Sequence, residues 1–235
     1  MKIGGIQWTS MLDYPGRISI ALFTSGCDFR CPFCHNPELV TPGISGMGKK
    51  ISEGWLLGEL AARVGFHDAV VVSGGEPTLQ SDLPAFLSKV RRMGFATKLD
   101  TNGHHPEIVA GLIERGLVDY VAMDVKAPRP RYSELANAPV HVDRIERTMQ
   151  LLVERAPDYE FRTTVAPTLS ADDLVSIGHW IRGAKRYFLQ AFHTLPGKPL
   201  LDPDWQHMAA LPVETLEAAW TQLRAIGFDQ GGVRS

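Results

Sequence analysis

The chain has 235 residues, of which 44% are apolar and 21% are charged, and its formal net charge is −2. This composition is typical of a globular domain with a substantial core, and the near-neutral charge argues against a generally basic surface that binds nucleic acid. No apolar run reaches the roughly 18 residues that a membrane span requires, and the N-terminus lacks a secretory signal, so we expect a cytoplasmic protein without a membrane partner.

The hydrophobic pattern predicts six strands that alternate with helices. The predicted strands are 17–24, 69–73, 96–99, 120–125, 159–165 and 186–191. The predicted helices are one that follows Ser52, then 83–93, one that starts at Pro106 and ends before Gly116, and 142–154, 174–181 and 213–226.

The segments between these elements are rich in glycine, proline and polar residues. Residues 1–16 form an N-terminal extension, and residues 41–50, with three glycines and a proline, are expected to be a flexible connection. Residues 129–139 are expected to form a surface loop. A proline-rich loop at 195–204 leads to the last helix, and we expect the tail at 229–235 to be frayed.

The alternation of strands and helices predicts an α/β fold with a parallel sheet and right-handed crossovers. Six βα units are two short of a complete eight-unit barrel. We therefore expect residues 1–235 to form a single domain, a partial (β/α)6 TIM-like barrel of parallel strands. The alternative is an open, doubly wound sheet.

The chain contains three cysteines, and all of them lie in one window of eight residues: Cys27, Cys31 and Cys34. Their C-x3-C-x2-C spacing differs from the paired C-x2-C of zinc ribbons. Three thiolates can each hold one iron of a cubane cluster that normally takes four cysteines, so one iron would stay open for a substrate or cofactor. The alternative is a closed Cys3His zinc site that includes the adjacent His35.

Polar residues follow the predicted strands at their carboxyl ends, where parallel α/β folds bind ligands. These residues are the run Gly74-Gly75-Glu76-Pro77 after the second strand, Asp100 after the third, Asp124 and Lys126 after the fourth, and His193 after the sixth. Arg162 lies within the fifth strand. We expect these groups to converge on one rim of the sheet.

The residue types at the rim suggest roles and also plainer alternatives. Gly74 and Gly75 would bring a backbone edge close to a ligand, and Glu76 would suit an ammonium group, although a simple glycine turn is the alternative. Asp100 and Asp124 would share a cation or a hydrogen bond, and the alternative is that each caps a helix.

Three basic residues have alternatives of the same kind. Lys126 would pair with a carboxylate, or else be a solvated charge. Arg162 lies in an otherwise apolar or threonine-rich strand, where a buried arginine needs a partner, which favours a functional role. His193 is flanked by Phe192 and Thr194, and the alternative to a functional role is a packed or hydrogen-bonded histidine.

The cysteine motif, with Phe33 just before the last cysteine, resembles the radical S-adenosylmethionine (SAM) superfamily. The segment at 9–16, the run Cys31-Pro-Phe-Cys-His-Asn-Pro37 and the run Asp100-Thr-Asn-Gly103 are similar to the glycyl-radical-enzyme activases. The likeness is greatest to the activating proteins of anaerobic ribonucleoside-triphosphate reductases. The chain has no cysteines beyond the motif, which excludes the activases that carry a ferredoxin-like insert.

The resemblance implies roles for individual residues. Cys27, Cys31 and Cys34 would hold a [4Fe–4S] cluster, and Asp100 and Asp124 would correspond to a site for Na+ or K+. The residues implied in SAM binding are Phe33, Gly74, Gly75, Glu76, Pro77, Asp124, Lys126, Arg162 and His193.

The resemblance also implies a reaction. Flavodoxin or ferredoxin would supply one electron, SAM would be cleaved to methionine and a 5′-deoxyadenosyl radical, and that radical would take a hydrogen atom from a glycine of a partner enzyme. We expect the partner to be an anaerobic ribonucleotide reductase. The alternatives are an activase of the pyruvate formate-lyase type, a radical SAM enzyme that acts on a small molecule, such as a deazapurine-forming synthase, and a non-catalytic zinc-binding interaction protein.

Overall fold

The computed structural model describes residues 1–40 and 51–234, so the connection expected at 41–50 lies outside the described residues. Within these residues eight strands form one sheet in chain order. Strand β1 runs antiparallel to β2, and every later pair of neighbours is parallel. The strands are β1 Ile3–Ser10, β2 Ser19–Thr24, β3 Ala69–Gly74, β4 Ala96–Thr101, β5 Tyr120–Asp124, β6 Tyr159–Val165, β7 Tyr187–Ala191 and β8 Gly231–Arg234.

Helices connect the parallel strands and begin at residues suited to helix starts. Ser52 accepts a hydrogen bond from the Trp55 backbone N–H, and Ser170 and Asp173 form a reciprocal capping box. The helices are α1 Pro37–Val40, α2 Glu53–Ala61, α3 Leu83–Arg92, α4 Pro106–Glu114, α5 Tyr132–Ala136, α6 Val142–Arg155, α7 Ala171–Trp180 and α8 Val213–Ile226. In the described part of the chain, no helix combines the length and the apolarity needed to cross a bilayer.

The two faces of the sheet have different partners, because successive side chains of a strand point to opposite sides. Val70 and Val72 belong to a large apolar core that includes the buried faces of the helices. Val71 belongs to a small cluster on the other face, with Tyr120 and Ala122. This second face is the concave interior of the partial barrel, and it leads towards the carboxyl ends of the strands.

The predicted fold class, an α/β fold with a parallel sheet, is confirmed. The sheet has two more strands than the six predicted, because β1 lies in the expected N-terminal extension and β8 lies in the tail. The prediction that the tail frays was wrong for Gly231–Arg234, which pairs with β7, while the Arg234 guanidinium donates two hydrogen bonds of 3.0 Å to the Glu160 carboxylate.

The expected surface loop at 129–139 also contains regular structure. Helix α5 occupies its centre, and Tyr132 at the start of this helix is fully buried. The prediction of an irregular loop was therefore wrong for these residues, since the ring of Tyr132 packs against Trp180 and Phe29.

Candidate functional site

The three cysteines line one cavity of about 220 Å³ at the carboxyl ends of the parallel strands. They follow directly after β2, and all three are free thiols. The rim residues that lie on the cavity wall are Phe33, Gly74, Gly75, Asp100, Asp124 and Lys126. In the described part of the chain, four other predicted site residues do not line the cavity: Glu76, Pro77, Arg162 and His193.

The Gly-Gly turn after β3 lies against the backbone of the cysteine loop. A Cβ at Gly74, whose φ is +113°, would lie 2.2 Å from the Thr24 backbone nitrogen. A Cβ at Gly75 would lie 2.2 Å from the Gly26 carbonyl oxygen. Only glycine allows this close approach, so the turn and the cysteine loop form one rigid wall of the cavity.

Glu76 is fully buried behind this wall. Its Oε1 accepts hydrogen bonds from the Thr78 backbone N–H at 3.0 Å and from the Thr101 hydroxyl at 2.8 Å, and its Oε2 accepts one from the Asn102 backbone N–H at 2.7 Å. Burial raises the pKa of Glu76, although the bonds from Asn102 and Thr78 oppose that shift. The carboxylate therefore joins the ends of β3 and β4 and does not face the cavity.

A chain of ion pairs crosses the concave face and reaches the cavity wall at Asp100, Asp124 and Lys126. The Arg162 guanidinium lies 3.0 Å from Asp124 Oδ1 and 3.5 Å from Asp100 Oδ2. Lys126 Nζ lies 3.1 Å from Asp124 Oδ2, and the buried Lys98 pairs with Asp100. Burial favours a raised pKa for Asp124, but Arg162 and Lys126 outweigh it and lower that pKa to about 2. Both carboxylates are therefore ionised at neutral pH.

The thiols sit in different electrostatic surroundings. Burial raises the pKa of Cys27, and the Glu76 carboxylate raises it further. Burial also raises the pKa of Cys31 to about 11, although the Lys126 ammonium opposes this shift. The thiols are thus protonated at neutral pH unless a metal displaces their protons, which is the usual way in which thiolate sites are loaded.

Phe33 is buried in the wall of the site, whereas His193 is exposed. Phe33 is 4% exposed and packs against Trp205. His193 is exposed, and its backbone carbonyl accepts a hydrogen bond of 2.6 Å from Nε2 of His35, which lies on the cavity wall. The structure therefore places His193 at the rim, beside the cavity and not in its wall.

The loop between β7 and α8 covers the cysteine loop. The Leu201 backbone N–H donates to the Cys34 carbonyl, and the Asp202 backbone N–H donates to the Pro32 carbonyl, each at 3.1 Å. Lys198 Nζ lies 3.0 Å from Asn36 Oδ1. These contacts hold the second half of the cysteine loop in place.

Several wall residues had no role in the sequence-based expectations: Asn36, Val40, Ser73, Asn102 and Thr164. Ser73 and Thr164 lie on the same face of their strands as the other polar wall residues, so the period-2 alternation of strands was the pattern that could have identified them. Asn102 lies beyond the end of β4, where the alternation of a strand no longer indicates to which side a side chain points.

Residues 21–181 match the family model described as the Radical SAM superfamily. A Methanocaldococcus jannaschii protein named as a glycyl-radical enzyme activating enzyme is 32% identical over 198 residues, which cover 81% of this chain and 79% of that protein. The pyruvate formate-lyase-activating enzyme of Listeria monocytogenes is 27% identical over 245 residues, covering 96% of this chain and 93% of the enzyme.

Solved structures show the same architecture. Streptococcus suis SuiB bound to S-adenosylmethionine superposes with a TM-score of 0.68 at 14% identity, covering 90% of this chain and 49% of SuiB. A domain of the pyruvate-formate lyase-activating enzyme from Bacteroides vulgatus gives a TM-score of 0.56 at 15% identity, covering 72% of this chain and 99% of that domain. The chain thus spans about half the length of SuiB, and at these identities the likeness supports the fold.

Proposed function

The chain belongs to the radical SAM superfamily and, within it, to the activating enzymes of glycyl-radical enzymes, and from this premise we propose that it activates an anaerobic ribonucleoside-triphosphate reductase. The observation that carries the chemistry of this proposal is that the only three thiols of the chain line one cavity, beside a glycine wall and an ionised Asp–Lys pair. The choice of the reductase as partner comes from the resemblance of the sequence motifs alone. Membership of this family implies a [4Fe–4S] cluster and SAM.

The residues of the cavity fit these two groups. Three soft thiolates are suitable iron ligands, and the chain has no fourth cysteine to close the site. When bound, the cluster supplies the one electron that splits SAM, and the fragment produced removes a hydrogen atom from a glycine of the partner. Flavodoxin or ferredoxin is the electron donor in this proposal, and three unpaired thiols suit a reducing cytoplasm.

Each residue around the cavity has a task that its position supports. Gly74 and Gly75 offer a backbone edge to the methionyl end of SAM, and Lys126 and Asp124 offer a cation and an anion to its charged groups. Phe33 shields the cavity from water. The remaining candidates act from nearby: Glu76 and Pro77 hold the glycine turn, Arg162 orients Asp124, and His193 lies at the rim for the adenosyl group.

A monovalent cation at Asp100 and Asp124 stays a prediction. In the structure these carboxylates already pair with Lys98, Arg162 and Lys126. A bound Na+ or K+ would therefore be a fourth positive charge beside the two carboxylates. Comparison of SAM cleavage in sodium and potassium buffers tests it, since a bound ion would make the rate depend on which cation is present.

The similarity to pyruvate formate-lyase-activating enzymes supports a second candidate partner, and one experiment separates the two. Anaerobically purified, cluster-loaded protein is mixed with SAM, a reductant and either an anaerobic ribonucleotide reductase or a pyruvate formate-lyase. We expect the glycyl-radical doublet in the electron paramagnetic resonance (EPR) spectrum with the reductase. A doublet with the lyase alone would overturn the choice of partner.

The Cys31→Ser variant tests the assignment of the cysteine ligands. Because Cys31 is one of three thiols on the cavity wall, we expect its loss to reduce iron content from about four per chain to near zero and to abolish formation of 5′-deoxyadenosine. Iron analysis and chromatography of the reaction products measure both effects. Continued formation of 5′-deoxyadenosine would contradict the ligand assignment, and one tightly held zinc in the wild-type protein would support the interaction-protein alternative.

A further inference from the structure

A polar cluster lies next to the cysteine loop, and of its four members only Asn102 lines the cavity. Asp28 follows Cys27, and its Oδ1 accepts a hydrogen bond of 2.8 Å from Asn102 Nδ2. Its Oδ2 lies 2.8 Å from His104 Nδ1 and 3.1 Å from His105 Nε2. We call these four residues the Asp28 clasp. The clasp connects the start of the cysteine loop to the segment that follows β4.

Asp28, His104 and His105 are also, among residues 1–40 and 51–234, the one group of three side chains whose donor atoms lie close enough to hold a metal ion. The hydrogen-bond pattern argues against that use. The His141 backbone N–H points at His104 Nε2 at 3.3 Å, so Nε2 accepts and carries no proton. The proton of a neutral His104 is then on Nδ1, where it donates to Asp28 and occupies the position that a metal would need.

The distances agree with hydrogen bonds. Ligand atoms of a tetrahedral zinc site lie roughly 3.3 Å apart, as follows from metal–ligand bonds of about 2.0–2.1 Å. The two distances from the Asp28 carboxylate to the imidazole nitrogens are 2.8 and 3.1 Å. The Asp28 carboxylate thus accepts hydrogen bonds from one amide and from two imidazoles. Its negative charge strengthens all three of these bonds.

The clasp and a backbone hydrogen bond lie on opposite sides of Cys27. On one side of the thiol, the Gly26 carbonyl accepts from the Glu76 backbone N–H at 2.8 Å. On the other side, Asp28 binds the side chain of Asn102, whose backbone N–H binds Glu76. Both attachments lead to the ends of β3 and β4, whereas Cys34 is held through the loop between β7 and α8.

We propose that Asp28 is a positioning residue for Cys27, which holds that thiolate in place by tying the start of the cysteine loop to the end of β4. The proposal rests on the proposed function in one respect, because it assumes that Cys27 binds iron. It goes beyond that function by assigning a task to Asp28, His104 and His105, which do not line the cavity, and to the Asn102 side chain that binds Asp28.

The Asp28→Asn variant tests the proposal in the full-length, cluster-loaded protein under anaerobic conditions. An asparagine at this position has no negative charge. Its amide NH2 group is a donor, so it cannot replace a carboxylate oxygen that accepts hydrogen bonds from Asn102, His104 or His105. We expect a ferrous chelator to remove iron about tenfold faster than from the wild type, as expected for the loss of charge-assisted bonds. The exposed Asp172 of α7 provides the matched control, and Asp172→Asn should leave the rate unchanged.

Two further measurements separate positioning from a general effect on folding. The midpoint potential of the cluster should rise in Asp28→Asn, because a negative charge near Cys27 is lost, and it should stay near the wild-type value in Asp172→Asn. The effects of Asp28→Asn and His104→Asn on iron release should be non-additive, since both remove the same hydrogen bond. Urea unfolding of each variant monitors overall stability.

Each outcome bears on the proposal. Iron release from Asp28→Asn at the wild-type rate would overturn it, and so would a faster release that merely follows a loss of overall stability with an unchanged potential. One zinc retained beside the irons, and lost in His104→Asn, would show a metal site in place of the clasp. A wild-type protein that holds no iron would overturn the proposed function as well, whereas iron release alone leaves that function standing.

Discussion

At the scale of single residues, the close approach of Gly75 to the cysteine loop leads to a first prediction. In Gly75→Ala the new Cβ would lie 2.2 Å from the Gly26 carbonyl oxygen, so the backbone around Cys27 must shift. We expect a loss of about 2 kcal/mol in unfolding free energy and a lower iron content per chain. Urea denaturation and iron analysis measure the two effects.

Gly111 is the matched control for this substitution. It lies within α4, and a Cβ there would have no atom within 4 Å. Gly111→Ala should stabilise the protein by about 0.5–1 kcal/mol, because alanine is the better helix former. Equal effects of the two substitutions would contradict the view that the glycine turn and the cysteine loop form one wall.

The Arg162 ion pairs lead to a prediction about pH. In Arg162→Met the Asp100 and Asp124 carboxylates lose the guanidinium that lies between them, and we expect a loss of about 3 kcal/mol at pH 7. The pKa of Asp124 in the folded protein, about 2, lies below its ordinary value. The pairing therefore contributes stability above about pH 4, and this contribution is lost as the pH falls towards 2.

The difference in stability between wild type and Arg162→Met should accordingly shrink between pH 7 and pH 3. Urea denaturation of both proteins at several pH values measures it. A difference that is the same at pH 7 and pH 3 would show that the substitution acts through packing alone.

Residue positions at the site were predictable where the geometry of parallel strands determines them. Asp100, Asp124 and Lys126 were expected at the rim because the strand ends meet there, and all three line the cavity. The orientation of Glu76 was not predictable, because four hydrogen bonds from Thr78, Thr101 and Asn102 turn its carboxylate away.

At the scale of elements, strand β8 is held by its pairing with β7 and by one long-range ion pair. Arg234 binds the carboxylate of Glu160, whose side chain is 3% exposed. In Arg234→Ala this buried carboxylate keeps the hydrogen bond from the Tyr120 hydroxyl but loses the guanidinium that neutralises it, and we expect a loss of about 3 kcal/mol together with faster amide exchange in β8. Denaturation and hydrogen exchange measure these effects, and the exposed Arg224 of α8 gives a control substitution that should change neither. Unchanged exchange in β8 would contradict this account.

The elements that the sequence predicted correctly are those whose local pattern of residues is enough to specify a strand or a helix. The run Val70, Val71 and Val72 is apolar and β-branched throughout, so a buried strand was predictable. Strand β8 begins with Gly231 and Gly232, which disfavour strands, and it forms because β7 and Glu160 lie nearby. Helix α5 is five residues long, too short to show a helical period.

At the scale of the whole molecule, the single sheet joins the apolar core to the charged interior. The core between sheet and helices includes residues from β2 to α8, and the concave face carries Lys98, Asp100, Asp124 and Arg162. Because one apolar core includes residues from β2 to α8, we expect one cooperative unfolding transition for the cluster-free protein. Circular dichroism and tryptophan fluorescence should give coincident curves, and a separate early transition would contradict this expectation.

The contacts of the loop between β7 and α8 have a consequence for how the protein is made. The Cys34 and Pro32 carbonyls accept from the backbone N–H groups of Leu201 and Asp202, which are translated about 170 residues later. The second half of the cysteine loop therefore gains these contacts only after the loop between β7 and α8 has been synthesised. We therefore expect iron to be inserted only after residues 201 and 202 have been translated, because the surroundings of Cys34 are incomplete before then.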